Sequence, residues 1–173
     1  LKHAEQIITP EPYRIPAYFK QEISLVQAFD REINNTTDHS DLGVPTMIFN
    51  QQETLVAQNT LSDLKAMMKR PKTVIIQPFG RGAKVDRQGV FDDESRSLSS
   101  KDYLYLVKKI ANRYNTIFFG EPEFQIQQDT FAQKYTCDLR QWGALIKECD
   151  YFIGVDSVGQ HMARSVGTPG SVI

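Results

Sequence analysis

"YFIGVDSVGQHMARSVGTPGSVI" (Tyr151–Ile173) holds the reading on which the fold depends. The apolar run "YFIGV" is short, continuous and β-rich, as expected of a strand buried on both faces. It breaks into the polar "DSVGQH" and re-enters an apolar helix that ends at Gly167. A strand, a tight polar turn and a helix in succession form half of a βαβ unit, and ligands of open parallel sheets bind beyond such strand ends.

The pattern extends backward from there. "DLRQWGALIKEC" is expected to be a helix capped by Asp138, with Leu139, Trp142, Leu145 and Ile146 facing inward. "NTIFFG" reads as a strand, and "SSKDYLYLVKKIANRY" as a helix capped by Ser99 or Ser100, with Tyr103, Leu106, Val107 and Ile110 on one face. "TVIIQPF" (Thr73 to Phe79) is a further strand, running into the glycine-rich loop "GRGAKVDRQG". The expected fold class is therefore α/β: a Rossmann-like parallel sheet flanked by helices.

Residues 1–70 follow a different regime, mainly helical and irregular. "YFKQEISLVQAFDREI" spaces Phe19, Ile23, Val26, Phe29 and Ile33 along one helix face, and "TMIF" (Thr46 to Phe49) reads as a short strand. Asn50 and Glu53 suit a capping pair for a helix that Pro71 terminates. Residues 71–173 are expected to form the Rossmann-like domain.

Composition narrows the function classes. A chain of 173 residues is long enough to bury a core without covalent staples. Its 40% hydrophobic and 24% charged residues are those of a soluble globular protein. A net charge of -1 gives no bulk attraction to nucleic acid or an anionic membrane, so any anion site must be local. No apolar run approaches the roughly 18 residues of a spanning helix. Cys137 and Cys149 lie twelve apart, with neither paired spacing nor a nearby His, so metal ligation is unsupported. They read as reduced, half-buried thiols of a cytoplasmic protein.

At the end of the "YFIGV" strand, Asp156-Ser157-Val158-Gly159 opens the next helix. Unpaired N–H groups and the positive dipole end make such a turn suited to phosphate or diphosphate. Ser157 can cap the helix and donate to a phosphate oxygen, Gly159 admits a ligand close to the backbone, and Asp156 suits ligand hydroxyls. An ordinary N-cap with His161 as a first-turn residue accounts for the same spacing.

The glycine-rich loop adds a basic element. Gly82, Arg81 and Lys84 suit a phosphate-contacting loop, with a flexible solvated loop as the alternative. Gly80-Arg81-Gly82 is not a dinucleotide fingerprint, because position 85 is Val, and no Gly-Lys-Ser/Thr P-loop occurs. Glu121 and Glu123 follow a strand end, where a carboxylate can bind ribose hydroxyls or simply face solvent. Trp142 reads as core. His3 and His39 have no evident partners.

"DLRQWGALIKECDYFIGVDSVGQHMARSVGTPGSVI" resembles the carboxyl-terminal signature of glycosyltransferase family 9, the heptosyltransferase family. Asp138-Leu139, Asp156-Ser157, His161 five residues after that Asp, Ala163 and Gly167-Thr168-Pro169 all fall in register with it. "TVIIQPFGRGAK" and "LSSKDYLYLVKKIANRYNTIFFGEPE" extend a looser likeness over most of residues 71–173. Val158 departs from the family, which commonly has Gly there. The resemblance implies a GT-B arrangement, with two Rossmann-like domains facing across a cleft. On that basis residues 1–70 are the end of the amino-terminal domain and a linker, and the chain looks truncated at both ends.

Within such a domain the resemblance implies donor contacts from Asp156, Ser157, Val158, Gly159, His161, Lys84, Arg81, Gly82 and Glu121. It implies transfer of a sugar, a heptose being one candidate, from a nucleoside-diphosphate sugar to a saccharide or glycolipid acceptor. No cofactor is implied, and the catalytic base is expected in the amino-terminal domain. Two rivals stand beside it: a non-catalytic sugar-nucleotide or glycan-binding module, and a sugar-nucleotide epimerase, whose nucleotide fingerprint is missing here.

Overall fold

A computed structural model describes residues 8–38, 42–80, 82–86, 89–93, 96–119, 132–134 and 137–173. The chain divides into two compact units, Leu1–Val44 and Pro45–Ile173.

In the first unit, Pro12–Arg14 forms a 3-10 turn, followed by α1 (Pro16–Phe19) and α2 (Leu25–Asn34). The single helix expected over Tyr18 to Ile33 is thus two. Gln21 takes a left-handed φ of 59°, and Ser24 and Gln27 start α2 with a reciprocal capping box. These local bonds offset the loss of helix continuity. Phe19, Val26 and Ile33 on the expected apolar face are exposed.

The second unit begins with α3 (Gln51–Met68), which opens on the expected Asn50–Glu53 capping box. Ala57, Leu61 and Leu64 are buried at four- and three-residue spacing. The sheet strands are β1 (Thr73–Gln77), β4 (Asn115–Phe118), β5 (Ala132–Lys134), β6 (Tyr151–Gly154) and β7 (Gly170–Val172). Between β1 and β4 come a hairpin, β2 (Ala83–Asp86) and β3 (Gly89–Asp92), and helix α4 (Ser100–Ala111). Helices α5 (Leu139–Glu148) and α6 (Val158–Val166) precede β6 and β7 respectively.

The sheet order is β5-β4-β1-β6-β7, with every neighbouring pair parallel. The chain moves outward from β1 through β4 to β5, then returns past β1 to build β6 and β7. This is the doubly wound topology, and its order reverses between β1 and β6.

All five residues of β1 are buried, and its side chains alternate between the two faces. Val74 and Ile76 pack with Tyr103 and Val107 of α4, and with Phe118 and Ile153. Ile75 packs on the opposite face with Ile117, Phe152, and residues of α3, α5 and α6. Burying one such side chain contributes about 1.5–3 kcal/mol. The expected Rossmann-like sheet with helices on both faces is the observed architecture.

The unit begins at Pro45, and its α3 packs against α5 on the sheet's core. Two expectations are corrected within it. Residues 46–49 form no strand, although Met47 and Phe49 turn inward while Ile48 is 78% exposed. The alternation is real, but these side chains pack on the core beside Gly143 of α5, with no neighbouring strand. Leu139 lies at the α5 start, over half exposed, while Leu145 and Ile146 are fully buried. Trp142 packs on the core as expected, with its ring 5.2 Å from that of Phe119. Both cysteines are free, Cys149 buried and Cys137 exposed. No described helix is long and apolar enough to cross a membrane.

Candidate functional site

The site grows from the reversal between β1 and β6. Gln77, the last residue of β1, pairs in register with Gly154, the last residue of β6. One residue further, the Val155 N–H donates to the Gln77 carbonyl at 3.1 Å, holding the two strand ends together. Asp156 and Ser157 follow at once, then the nine-residue helix α6. The turn therefore sits at the carboxyl edge of the sheet's two central strands, where a crevice forms in this topology.

Polar contacts within the turn are specific. The Gln77 side-chain Nε2 donates to Ser157 Oγ at 2.9 Å and to the Phe79 carbonyl at 3.3 Å. Gln77 is only 6% exposed, and its Oε1 has no partner among the described residues. The Gln160 side chain donates to Asp156 Oδ1, one helical turn back, which steadies an exposed carboxylate.

Ser157 occupies the N-cap position with extended backbone, φ −156° and ψ −179°, but its side chain makes no cap bond to the helix. The expected capping by Ser157 is corrected: its oxygen is engaged by Gln77 instead. The first-turn N–H groups of α6 thus lack the usual side-chain cap, and they carry the positive end of the helix dipole.

Gly159 has a packing role as well. A Cβ at this position would overlap Gln77 Oε1 and stand 2.6 Å from the Phe152 ring. The missing side chain makes room for the protein's own Gln77 and Phe152, so packing by itself requires the glycine. Val158 and His161 are exposed on the first turn and a half of α6.

Within the "GRGAK" segment, Gly80 and residues 82–84 are described, and Ala83 and Lys84 open β2. Gly82 lies in a turn in which the Ala83 N–H donates to the Gly80 carbonyl at 3.2 Å. Lys84 stands on β2 opposite Phe91 of β3, and its ammonium lies 3.6 Å from the Asp93 carboxylate, with both side chains largely exposed. The hairpin is tied down at its base: Ser97 Oγ accepts from the Gly80 N–H at 2.9 Å and donates to Asp92. Ser100 Oγ accepts from the Val90 N–H at 2.8 Å. Among the described residues, no hydrogen bond or ion pair joins Lys84 to the Asp156–His161 turn. Arg81, Glu121, Glu123, His3 and His39 lie outside the described residues.

The structure therefore brings Asp156, Ser157 and Gly159 together with Gln77 and Gln160, two residues that the sequence reading passed over. Gln77 did carry a signal, as a polar side chain closing an otherwise apolar, buried strand. Gln160 stands four residues after Asp156, which on a helix start is contact spacing.

A doubly wound parallel α/β domain, with a polar turn and an open helix start at its switch point, is the class of protein these features define. No protein-family model matches the sequence, and neither does any curated protein sequence. Solved structures do resemble it. One is E. coli ADP-heptose lps heptosyltransferase II, with TM-score 0.55, 19% identity, and coverage of 86% of this chain and 45% of that chain. Another is a glycosyl transferase family 9 protein from Veillonella parvula, with TM-score 0.63, 12% identity, and coverage of 86% and 42%. The likeness to this glycosyltransferase fold, first read from the sequence signature, is thus present in three dimensions. This chain spans under half the length of either protein.

Proposed function

We propose that Pro45–Ile173 is the donor-binding part of a glycosyltransferase that moves a sugar, a heptose being one candidate, from a nucleoside diphosphate to a saccharide or glycolipid acceptor. The observation that carries this reading is the Asp156-Ser157 turn at the β1–β6 switch point, in a fold shared with such transferases.

In the reaction, an acceptor hydroxyl oxygen attacks the anomeric carbon and the bond from that carbon to the diphosphate oxygen breaks. The diphosphate leaves with the electron pair, and the hydroxyl proton passes to a base. In this reading the base belongs to the amino-terminal half of a GT-B arrangement, and this domain stabilises the leaving group. The first turn of α6 offers N–H donors and a positive dipole end to the diphosphate, and Ser157 offers a hydroxyl hydrogen. Lys84 adds a mobile positive charge from the hairpin, and Arg81 is assigned the same role. Asp156 accepts from sugar hydroxyls, as does Glu121 from ribose, and Val158 and His161 line the exposed side of the turn.

Titration calorimetry of the full-length protein with a panel of nucleoside diphosphates and their sugar conjugates tests the proposal. Binding of at least one member is expected. Uniformly absent binding by a folded protein overturns it.

A further inference from the structure

The Gln77–Ser157 bond fixes more than the packing of two strand ends. A serine hydroxyl has one hydrogen and two lone pairs, whereas a carboxamide nitrogen only donates. The orientation of the Gln77 amide is set independently of Ser157. Its nitrogen lies 3.3 Å from the Phe79 carbonyl, and turning the amide over would bring two oxygens together there. On its other side, Gln77 Oε1 occupies the space that a Cβ on Gly159 would need. The amide is thus held with its nitrogen toward Ser157 by the Phe79 carbonyl, which needs a donor.

Ser157 Oγ therefore accepts from the protein and keeps its hydrogen. Among the described residues, no acceptor takes that hydrogen and the hydroxyl does not cap α6. A hydroxyl polarised in this way suits a ligand atom that only accepts, such as an anionic phosphate oxygen. The buried, unpartnered Oε1 against the first turn is a second sign that this amide is placed for the site rather than for the core, where unpaired polar atoms are rare.

We infer that Gln77 is a positioning residue of this site: its buried amide holds Ser157 as a hydrogen-bond donor toward a bound diphosphate. The inference rests on the donor-binding reading given above. Gln77 itself does not touch the ligand, so removing its amide frees the Ser157 hydroxyl to rotate inward and cap α6, which withdraws the hydrogen from the anion.

The test is a double-mutant cycle on the full-length chain, with inorganic diphosphate and nucleoside diphosphates as the calorimetric probes. Gln77→Met and Ser157→Ala are each expected to weaken binding about tenfold, and the double variant to bind no more weakly than Ser157→Ala alone. Additive losses, or unchanged affinity in Gln77→Met, overturn the inference while leaving the donor-binding reading in place. A non-additive cycle with inorganic diphosphate, but no binding of any nucleotide, sinks the donor-binding reading and supports the role of Gln77. Binding of neither probe by the wild type overturns both.

Gln77→Glu keeps the test decisive should the Met variant fail to fold. Its ionised carboxylate must accept from Ser157, whereas its protonated form can donate as the amide does. Diphosphate affinity relative to wild type at each pH should therefore recover on acidification. A pH-independent ratio counts against the inference.

Discussion

Arg140 of α5 holds Glu53 of α3 in a two-pronged ion pair. Its Nη2 donates to Glu53 Oε2 at 2.9 Å and its Nε to Oε1. The same guanidinium donates to the Ile48 carbonyl at 2.9 Å, while Glu53 also accepts from the Asn50 N–H at 2.8 Å. One carboxylate thus closes the cap of α3 and fastens it to α5. The Arg140 hydrogen bonds, then the Asn50 N–H, hold the Glu53 carboxyl down from the ordinary 4.5 to about 2, against a small opposing effect of burial.

A carboxyl depressed in the folded state binds fewer protons there than in the unfolded chain between those two values. Its stabilising contribution is therefore full above about pH 4.5 and fades as the pH falls toward 2. Glu53→Gln should melt below the wild type at pH 7, and the gap in Tm should close between pH 4.5 and 2. Thermal melts across that range check it, and a gap independent of pH would show that the charge is unimportant.

Gly159→Ala should destabilise the fold. The added methyl meets Gln77 Oε1 and the Phe152 ring, both in buried positions with little room to retreat. Overpacking of this kind typically costs about 1–3 kcal/mol, against the small gain in helix propensity that alanine normally brings. Urea unfolding of the variant reads the difference directly. A neutral or stabilised Gly159→Ala would show that the first turn of α6 yields easily and that packing does not demand the glycine.

Strands β1 and β6 were legible because they are largely buried and so appear as unbroken apolar runs, "TVIIQ" and "YFIG", whereas the short "AQK" of β5 carries no such run and was not expected. Caps at Asn50, Ser99 and Asp138 were legible because each needs only a short polar residue three positions before a free N–H. The segment around Met47 and Phe49 misled, because strand-like alternation marks which side chains turn inward and not whether a neighbouring strand exists. The β2–β3 hairpin was hidden by its glycines. Gly89 adopts φ 132° against Ser100, a turn requirement that looks the same in sequence as a mobile loop. At the site, Asp156 and Ser157 could be read from their place before a helix. The dependence of Ser157 on Gln77, eighty residues earlier, arises only from the pairing of β1 with β6.

Lys84→Ala separates binding from stability. The lysine's contact with Asp93 is exposed and long at 3.6 Å, a kind of pair that contributes little to folding. The melting temperature should barely move. If Lys84 neutralises donor phosphate, losing that charge-assisted bond costs about 1.5–3 kcal/mol, roughly ten- to a hundredfold in affinity for a nucleoside diphosphate. An unchanged dissociation constant by calorimetry transfers the role to another cation of the hairpin region, with Arg81 first in line.

Asp156 offers the sharpest separation of a structural role from a ligand-binding one. Ser157, not Asp156, occupies the N-cap position of α6, so the carboxylate is not needed there. Its described bond is to the Gln160 side chain, and an asparagine oxygen can accept that same donor. Asp156→Asn should therefore fold within about 0.5 kcal/mol of the wild type, as expected for an exposed position away from the core. Toward a ligand the change is larger, because Asn loses the charge and can present an NH2 group to hydroxyls that need an acceptor. Sugar-nucleotide binding, and the proposed sugar transfer by the full-length protein, should fall at least tenfold, about 1.4 kcal/mol. Melting temperature and calorimetry on the same preparation give both readings. Intact stability together with intact ligand handling would remove Asp156 from the site and leave Ser157 and the first turn of α6 to hold the diphosphate without it.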